Sequence, residues 1–122
     1  KNGRRVLTEC RQTAIDESAL RDVFGDDDET VREILADFIE PSTSNIDEIV
    51  AAREGRNISD VEAGAHKLKS SARSVGANDL ADLCDRIEAA ARANEWESID
   101  NSAGSLQVTF DAVAEYVQGL QE

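Results

Sequence analysis

The sequence predicts an all-α protein that folds as an antiparallel up-down-up-down four-helix bundle with a short additional N-terminal helix. The chain has 122 residues, which suits one domain with a single core. It contains one proline and few aromatic residues, and it is rich in alanine, leucine and glutamate, which favour helices. Apolar residues recur at alternating steps of three and four, which is typical of helices that pack against one another.

The N-terminal part of the chain is predicted to contain a tail and one short helix. Residues 1–13 include basic side chains and show no clear apolar period, so we interpret them as a tail or linker. The bundle domain then spans residues 14–122. Asp16 is expected to be the N-cap of the short helix, and Gly25 is expected to end that helix in a left-handed conformation.

The second helix is predicted to be one long, bent helix from about Asp28 to Arg53. Pro41 lies inside it, and a proline removes one backbone hydrogen bond and bends or splits a helix. The apolar period nevertheless resumes directly after the proline with Ile46 and Ile49. We therefore expect the helix to continue through this position.

Three further helices complete the predicted bundle. A capping box at residues 59–62 is expected to open the first of them. Gly76 ends that helix, and Asn78 caps the next one. The last helix begins around residues 96–99 and has an unbroken apolar stripe as far as Leu120.

Composition excludes several classes of function. The formal net charge of −13 repels phosphate backbones, so we expect neither nucleic acid nor an anionic membrane surface as a partner. No apolar run reaches the length of a membrane span, so no membrane insertion is expected. Cys10 and Cys84 are far apart, and neither has a second ligand at metal-binding spacing, so we predict no metal site. Unpaired cysteines are typical of a reducing, cytoplasmic environment.

The third predicted helix carries His66, the only histidine of the chain. It lies beside the apolar stripe and among three basic residues, Lys67, Lys69 and Arg73. Because residues three or four apart are neighbours on a helix surface, His66 and Lys69 share one edge of this helix. Such a histidine can carry an anion or accept a phosphoryl group on its neutral imidazole. The residues alone also allow a surface histidine without a special role.

The pattern around this histidine resembles the core motif of the histidine-containing phosphotransfer (HPt) domain family. That motif runs histidine, any residue, leucine, lysine, a small residue and a later glycine. The matching residues are His66, Leu68, Lys69, Ser70 and Gly76. The resemblance continues along the next helix as far as Glu88. Ser70 departs from the family pattern, in which glycine is commonest at this position.

The resemblance implies the roles of His66 and Glu88, and side-chain chemistry and helical spacing suggest those of the other candidate site residues. His66 is the phosphoacceptor, and Glu88 holds Nδ1–H so that Nε2 can attack. Lys69 offsets the roughly two negative charges that a phosphoryl group adds. Four further residues are assigned to binding of the partner or of the phosphoryl oxygens: Lys67, Ser70, Arg73 and Arg92.

The resemblance also implies a function in a two-component phosphorelay. His66 accepts a phosphoryl group from an aspartate of one receiver domain and passes it to an aspartate of another. The partners are receiver domains of response regulators or a hybrid histidine kinase, and the chain is expected to be a monomer. It needs no cofactor, because the Mg²⁺ of the transfer is expected in the acidic pocket of the receiver. Since the sequence has no glycine-rich nucleotide loop, we interpret the chain as a phosphocarrier and not an enzyme.

Three hypotheses remain open at this point. The first is a phosphocarrier module, either free-standing or the C-terminal cytoplasmic domain of a larger hybrid sensor kinase. The basic N-terminal residues and the absence of methionine favour a piece of a longer protein. The second is a non-catalytic acidic adaptor bundle, in which His66 has no role. The third is the phosphoacceptor domain of a chemotaxis-type kinase.

Overall fold

A computed structural model describes residues 14–121, where it has six α-helices and no β-strand. The predicted tail, residues 1–13, lies outside the described residues. The helices are α1 Glu17–Phe24, α2 Asp28–Glu54, α3 Ile58–Ser74, α4 Asn78–Arg92, α5 Trp96–Ala103 and α6 Leu106–Gln121. Helix α3 packs between α2 and α4, and α6 packs against both α2 and α4, which closes the bundle. The predicted all-α bundle with a short N-terminal helix is confirmed.

One apolar core holds the four long helices together. Each of them buries a stripe of residues at helical spacing, represented by Leu35, Leu68, Ile87 and Phe110. The Phe110 ring packs against that of Phe38 at a centroid distance of 6.5 Å. Burial of this apolar surface supplies the main driving force for the fold. None of the helices within residues 14–121 combines the length and the apolarity that crossing a membrane requires.

The short helix α1 begins and ends as predicted. Oδ1 of Asp16 accepts hydrogen bonds from the backbone N–H of Ser18 at 3.1 Å and of Ala19 at 3.4 Å, so Asp16 is the N-cap. Gly25 follows the helix with φ of +93°, a conformation that glycine adopts without steric cost.

The predicted starts of α3 and α4 are wrong in detail. Asn57 caps α3, because its side-chain oxygen accepts from the backbone N–H of Asp60 at 3.2 Å, and no capping box forms at residues 59–62. Asparagine and serine are comparable caps. Starting the helix at Ile58 brings this partly buried residue against the core. Asn78 is the first residue of α4 and not its cap.

Helix α2 is continuous through Pro41, as predicted. The proline has no N–H to donate to the carbonyl of Asp37, so one backbone bond is lost. Phe38 and Ser42 on either side of it are both buried. Packing against the core therefore holds the helix together where the backbone is weakest.

The last predicted helix is divided in the structure, so the prediction of one unbroken helix is wrong. Helix α5 ends before Gly104, and α6 begins at Leu106. The N–H of Ser105 donates to the carbonyl of Ser102 at 3.1 Å, a tighter turn than an α-helix has. Glycine weakens helices, which favours a break here. The apolar stripe crosses the break because Ala103 and Leu106 are both buried.

The turn between α3 and α4 is fixed to the start of the short helix. The N–H of Asp16 donates to the carbonyl of Gly76 at 2.7 Å. Gly76 has φ of +79°, and a Cβ at this position would clash with the carbonyl group of Asp16. Glycine is required here both by the backbone conformation and by the close approach of a second backbone. This contact helps to set how α3 and α4 are joined.

Candidate functional site

His66 lies in the middle of α3, at the exposed edge of its apolar stripe. Its side chain is 60% exposed, whereas the neighbouring Ala65 and Leu68 are completely buried. The apolar stripe of α3 therefore anchors the helix, and the imidazole stands at the edge of that stripe. A second molecule can reach the ring directly from solvent.

Glu88 of α4 lies beside this ring and is buried, with only 1% of its surface exposed. Its Oε2 is 3.0 Å from Nδ1 of His66. Glu88 is therefore not a solvated surface carboxylate. An ionised carboxylate can only accept hydrogen bonds, so in the neutral imidazole this contact places the proton on Nδ1 and leaves the lone pair on Nε2.

Two cations neutralise the buried carboxylate. Lys69 Nζ lies 2.6 Å from Oε1 of Glu88 as an ion pair and donates to Oδ1 of Asp85 at 3.2 Å. Arg92 Nη2 donates to Oε2 of Glu88 at 2.6 Å, and its Nε donates to Oε2 of Glu62 at 3.0 Å. A buried charge is tolerated when it is paired in this way. The pairing keeps the carboxylate ionised next to the imidazole.

The acid–base properties of the cluster follow from these contacts. The contact with Lys69 lowers the pKa of Glu88 most, and burial of the carboxylate opposes this effect. The hydrogen bond from His66 and the charge of Arg92 lower the same pKa further. The pKa of Lys69 is raised by Glu88 and then by Asp85. Both partners of the central ion pair are therefore charged at neutral pH.

The remaining predicted binding residues lie on the exposed surface of α3. Lys67 and Ser70 are exposed near His66, and neither contacts the Glu88 carboxylate. Arg73 is also exposed, and it lies about 10 Å from His66 along the helix axis. Of the four residues assigned to binding, the structure brings only Arg92 into the cluster around Glu88.

Two carboxylates of the cluster were not predicted as site residues. Glu62 lies four residues before His66, and Asp85 lies three residues before Glu88, so helical spacing places each near its site neighbour. Spacing within one helix does not reveal that Glu62 pairs with Arg92, or Asp85 with Lys69, across the α3–α4 interface. That pairing follows from how the two helices pack.

A groove of about 690 Å³ runs between α2 and α3 on the side of Lys67. Gly64 lines this groove at a point where the two helices approach closely, since a Cβ there would lie 2.7 Å from Cγ1 of Ile49. The buried Asn45 lines the groove and donates to the carbonyl of Gly64 at 3.1 Å. The surface next to the histidine is thus concave, and the small side chain of Ala63 lies in its lining.

Cys84 plays no part in this site. It is completely buried in the core, and burial raises the pKa of its thiol to about 12. The thiol therefore stays protonated and unreactive at neutral pH. Cys10 lies outside the described residues. Among residues 14–121, no group of three or more histidine, cysteine, aspartate or glutamate side chains is arranged to hold a metal ion.

Comparison with known proteins identifies the family of the chain. A family model described as "Hpt domain" matches residues 33–122, which are 90 of the 122 residues. The chain therefore belongs to the Hpt domain family. Hpt domains are phosphocarrier modules of histidine phosphotransfer in phosphorelays, and they interact with the receiver domains of response regulators. No curated protein and no solved structure matches the chain.

Proposed function

We propose that this chain carries phosphoryl groups between two receiver domains, with Nε2 of His66 as the acceptor atom. The observation that carries the proposal is the pair of an exposed imidazole and a buried carboxylate 3.0 Å from its Nδ1. This pair selects the tautomer whose free lone pair points to solvent. A surface histidine without a role has no need of a buried, doubly neutralised carboxylate.

The proposed step is a displacement at phosphorus. The Nε2 lone pair attacks the phosphorus of an aspartyl phosphate, the bond from phosphorus to the aspartate oxygen breaks, and the carboxylate leaves. The imidazole ring becomes positively charged and keeps its proton on Nδ1. Glu88 stabilises that positive charge by accepting the Nδ1–H bond. The reverse step returns the phosphoryl group to an aspartate of the second receiver.

The surface around His66 supports docking of such a partner. The exposed Ala63 and Ser70 leave room for an active-site loop next to the ring, and Lys67, the residue after His66, lines the α2–α3 groove. We expect a modest, transient interface here. The Mg²⁺ of the reaction belongs to the acidic pocket of the receiver, so the chain supplies no metal ligand.

The wider setting forms part of the same proposal. The donor and the acceptor are receiver domains of response regulators or of a hybrid histidine kinase. The chain acts as a monomer in the cytoplasm, either free-standing or as a domain of a larger sensor kinase. No ATP-binding site is needed, because the energy of transfer comes from the aspartyl phosphate.

The test is incubation with a receiver domain that carries labelled aspartyl phosphate and Mg²⁺. We expect label on the chain that is stable to alkali and labile to acid, as a phosphohistidine is. Since His66 is the only histidine, the His66→Gln variant must lose all of this label. A second, unlabelled receiver added later should remove it.

The adaptor hypothesis makes the opposite prediction for the same experiment. In that case, no label would transfer to the wild-type chain or to the His66→Gln variant. Label that remains in the His66→Gln variant would also refute the assignment of the acceptor.

A further inference from the structure

Two carboxylates on different helices hold Arg92. Nε donates to Glu62 on α3, one turn before His66, and Nη2 donates to Oε2 of Glu88 on α4. That Oε2 is also the atom that faces Nδ1 of His66. Because Nη2 and Nδ1 lie 2.6 Å and 3.0 Å from one oxygen, they are at most 5.6 Å apart. The guanidinium is thus held next to the ring that would carry the phosphoryl group.

The two contacts of Arg92 differ in strength. Glu88 is buried, whereas the side chain of Glu62 is 39% exposed and that of Arg92 is 62% exposed. Ion pairs between solvent-exposed side chains are weak. A guanidinium forms stronger, bidentate hydrogen bonds with phosphoryl oxygens. A phosphoryl group on Nε2 therefore competes effectively with Glu62 for hydrogen bonds from Arg92.

We propose that Glu62 is a positioning residue that sets the lifetime of the phosphoryl group on His66 by competing for Arg92. In the unphosphorylated chain, Glu62 holds the guanidinium. After phosphorylation, Arg92 exchanges Glu62 for the phosphoryl oxygens and remains bonded to Glu88. The inference rests on the proposed function, since it concerns the same acceptor atom.

The direction of the effect follows from the charge of the reacting group. The bound phosphoryl group has roughly two negative charges. Hydrolysis transfers it to water through a loose, metaphosphate-like transition state. As the P–N bond breaks, its electron pair stays with the imidazole, so the negative charge on the phosphoryl oxygens falls from about two towards one. A cation on these oxygens therefore stabilises the phosphohistidine more than it stabilises the transition state. Because Glu62 withholds that cation, it shortens the phosphohistidine lifetime.

The test uses phosphoramidate, a small-molecule phosphoryl donor that needs no protein partner. Nε2 attacks its phosphorus, the P–N bond breaks and ammonia leaves. The loss of phosphohistidine is then followed by ³¹P NMR in wild type and in Glu62→Gln. We expect a half-life about threefold longer in the variant, the effect of one exposed charge pair. Glu97→Gln is the matched control, because it removes one exposed carboxylate of α5, and it should leave the half-life unchanged.

A double-variant comparison separates the proposed competition from simple charge repulsion. In an Arg92→Gln background, Glu62→Gln should no longer lengthen the half-life. A gain of the same size in that background would overturn the inference, because Glu62 would then act by repelling the phosphoryl group directly. An unchanged half-life in the Glu62→Gln single variant would overturn it as well.

Two readouts keep the interpretation specific. The ¹⁵N NMR signals of the single histidine report its tautomer, and Glu62→Gln should retain the proton on Nδ1, as the contact with Glu88 requires. A changed tautomer would mean that Glu62 acts through the Glu88 contact, against the inference. Failure of transfer from a receiver domain would refute the proposed function and leave the phosphoramidate measurement unaffected.

Discussion

Replacement of Gly76 by alanine is expected to destabilise the bundle without altering its site. The left-handed conformation of this residue costs about 1–2 kcal/mol for a residue with a Cβ. The Cβ would also lie 3.1 Å from the carbonyl carbon of Asp16 and closer still to its oxygen. Relief of this clash weakens the 2.7 Å hydrogen bond between the two residues, worth about 0.5–1.5 kcal/mol. The expected loss is therefore about 1.5–3.5 kcal/mol.

The alternative response, release of the short helix, costs more. Ile15 is 2% exposed and Leu20 is completely buried, and exposing both would cost about 3–6 kcal/mol. We therefore expect the Gly76→Ala variant to keep α1 in place under strain. Urea unfolding, followed by far-ultraviolet circular dichroism and by the fluorescence of the single tryptophan, measures the loss.

Gly119→Ala is the matched control. Gly119 lies in α6 with no atom within 4 Å of the added methyl group, so alanine should stabilise the chain by up to about 1 kcal/mol. Equal effects of the two substitutions would refute the argument. A free energy of unfolding for Gly76→Ala within about 0.5 kcal/mol of the wild-type value would also refute it. Loss of His66 labelling in fully folded Gly76→Ala would contradict the purely structural role assigned to this glycine.

Four further predictions concern Lys69, Glu88 and Cys84. Lys69→Met should destabilise the chain at neutral pH more than Lys67→Met, because of these two lysines only Lys69 pairs with Glu88. The urea midpoints of the two variants measure the two losses of stability, and equal losses would contradict the prediction. Since the pKa of Glu88 is lowered from 4.5, its stabilising contribution is present above that value and lost as the pH falls through the lowered pKa. The difference in stability between Lys69→Met and Lys67→Met should therefore shrink in acid. A difference that does not change with pH would refute this prediction. Glu88→Ala should slow phosphorylation of His66 more than Glu88→Gln does, because the amide oxygen of glutamine can still accept a hydrogen bond from Nδ1–H. Equal rates of labelling by phosphoramidate in the two variants would contradict the role of Glu88 as the acceptor of that hydrogen bond. In a chain whose other cysteine is serine, Cys84 should resist iodoacetamide until the protein unfolds, and rapid alkylation of the native chain would show that it is not buried.

The sequence alone was sufficient to predict the helices that bury an apolar stripe. It was less reliable where two local signals compete, as at the start of α3. There Asn57 prevailed over the capping box, because the earlier start also brings Ile58 against the core. The apolar stripe in the last part of the chain did not reveal the break at Gly104. A stripe records which residues are buried, and burial can continue across an interrupted helix.

The site residues also differ in how far the sequence alone could predict them. His66 and Lys69 could be assigned from their spacing on one helix together with the family resemblance. Glu88 required that resemblance, because spacing alone favours a solvated surface carboxylate at its position. The prediction that Arg92 binds phosphoryl oxygens stays a prediction, while the structure shows it held between Glu62 and Glu88.

The amino-acid sequence by itself determined the class of fold, the position of the histidine at the edge of a buried stripe and the end of α3 near Gly76. These properties depend on helical periodicity and backbone sterics, which act between residues close in the chain. The tertiary structure alone decided the burial of the Glu88 carboxylate and the cations that share it. The contacts of Glu88 with His66 and Lys69 join residues about 20 positions apart on two helices, and their energies depend on the exclusion of water, which no single helix can provide.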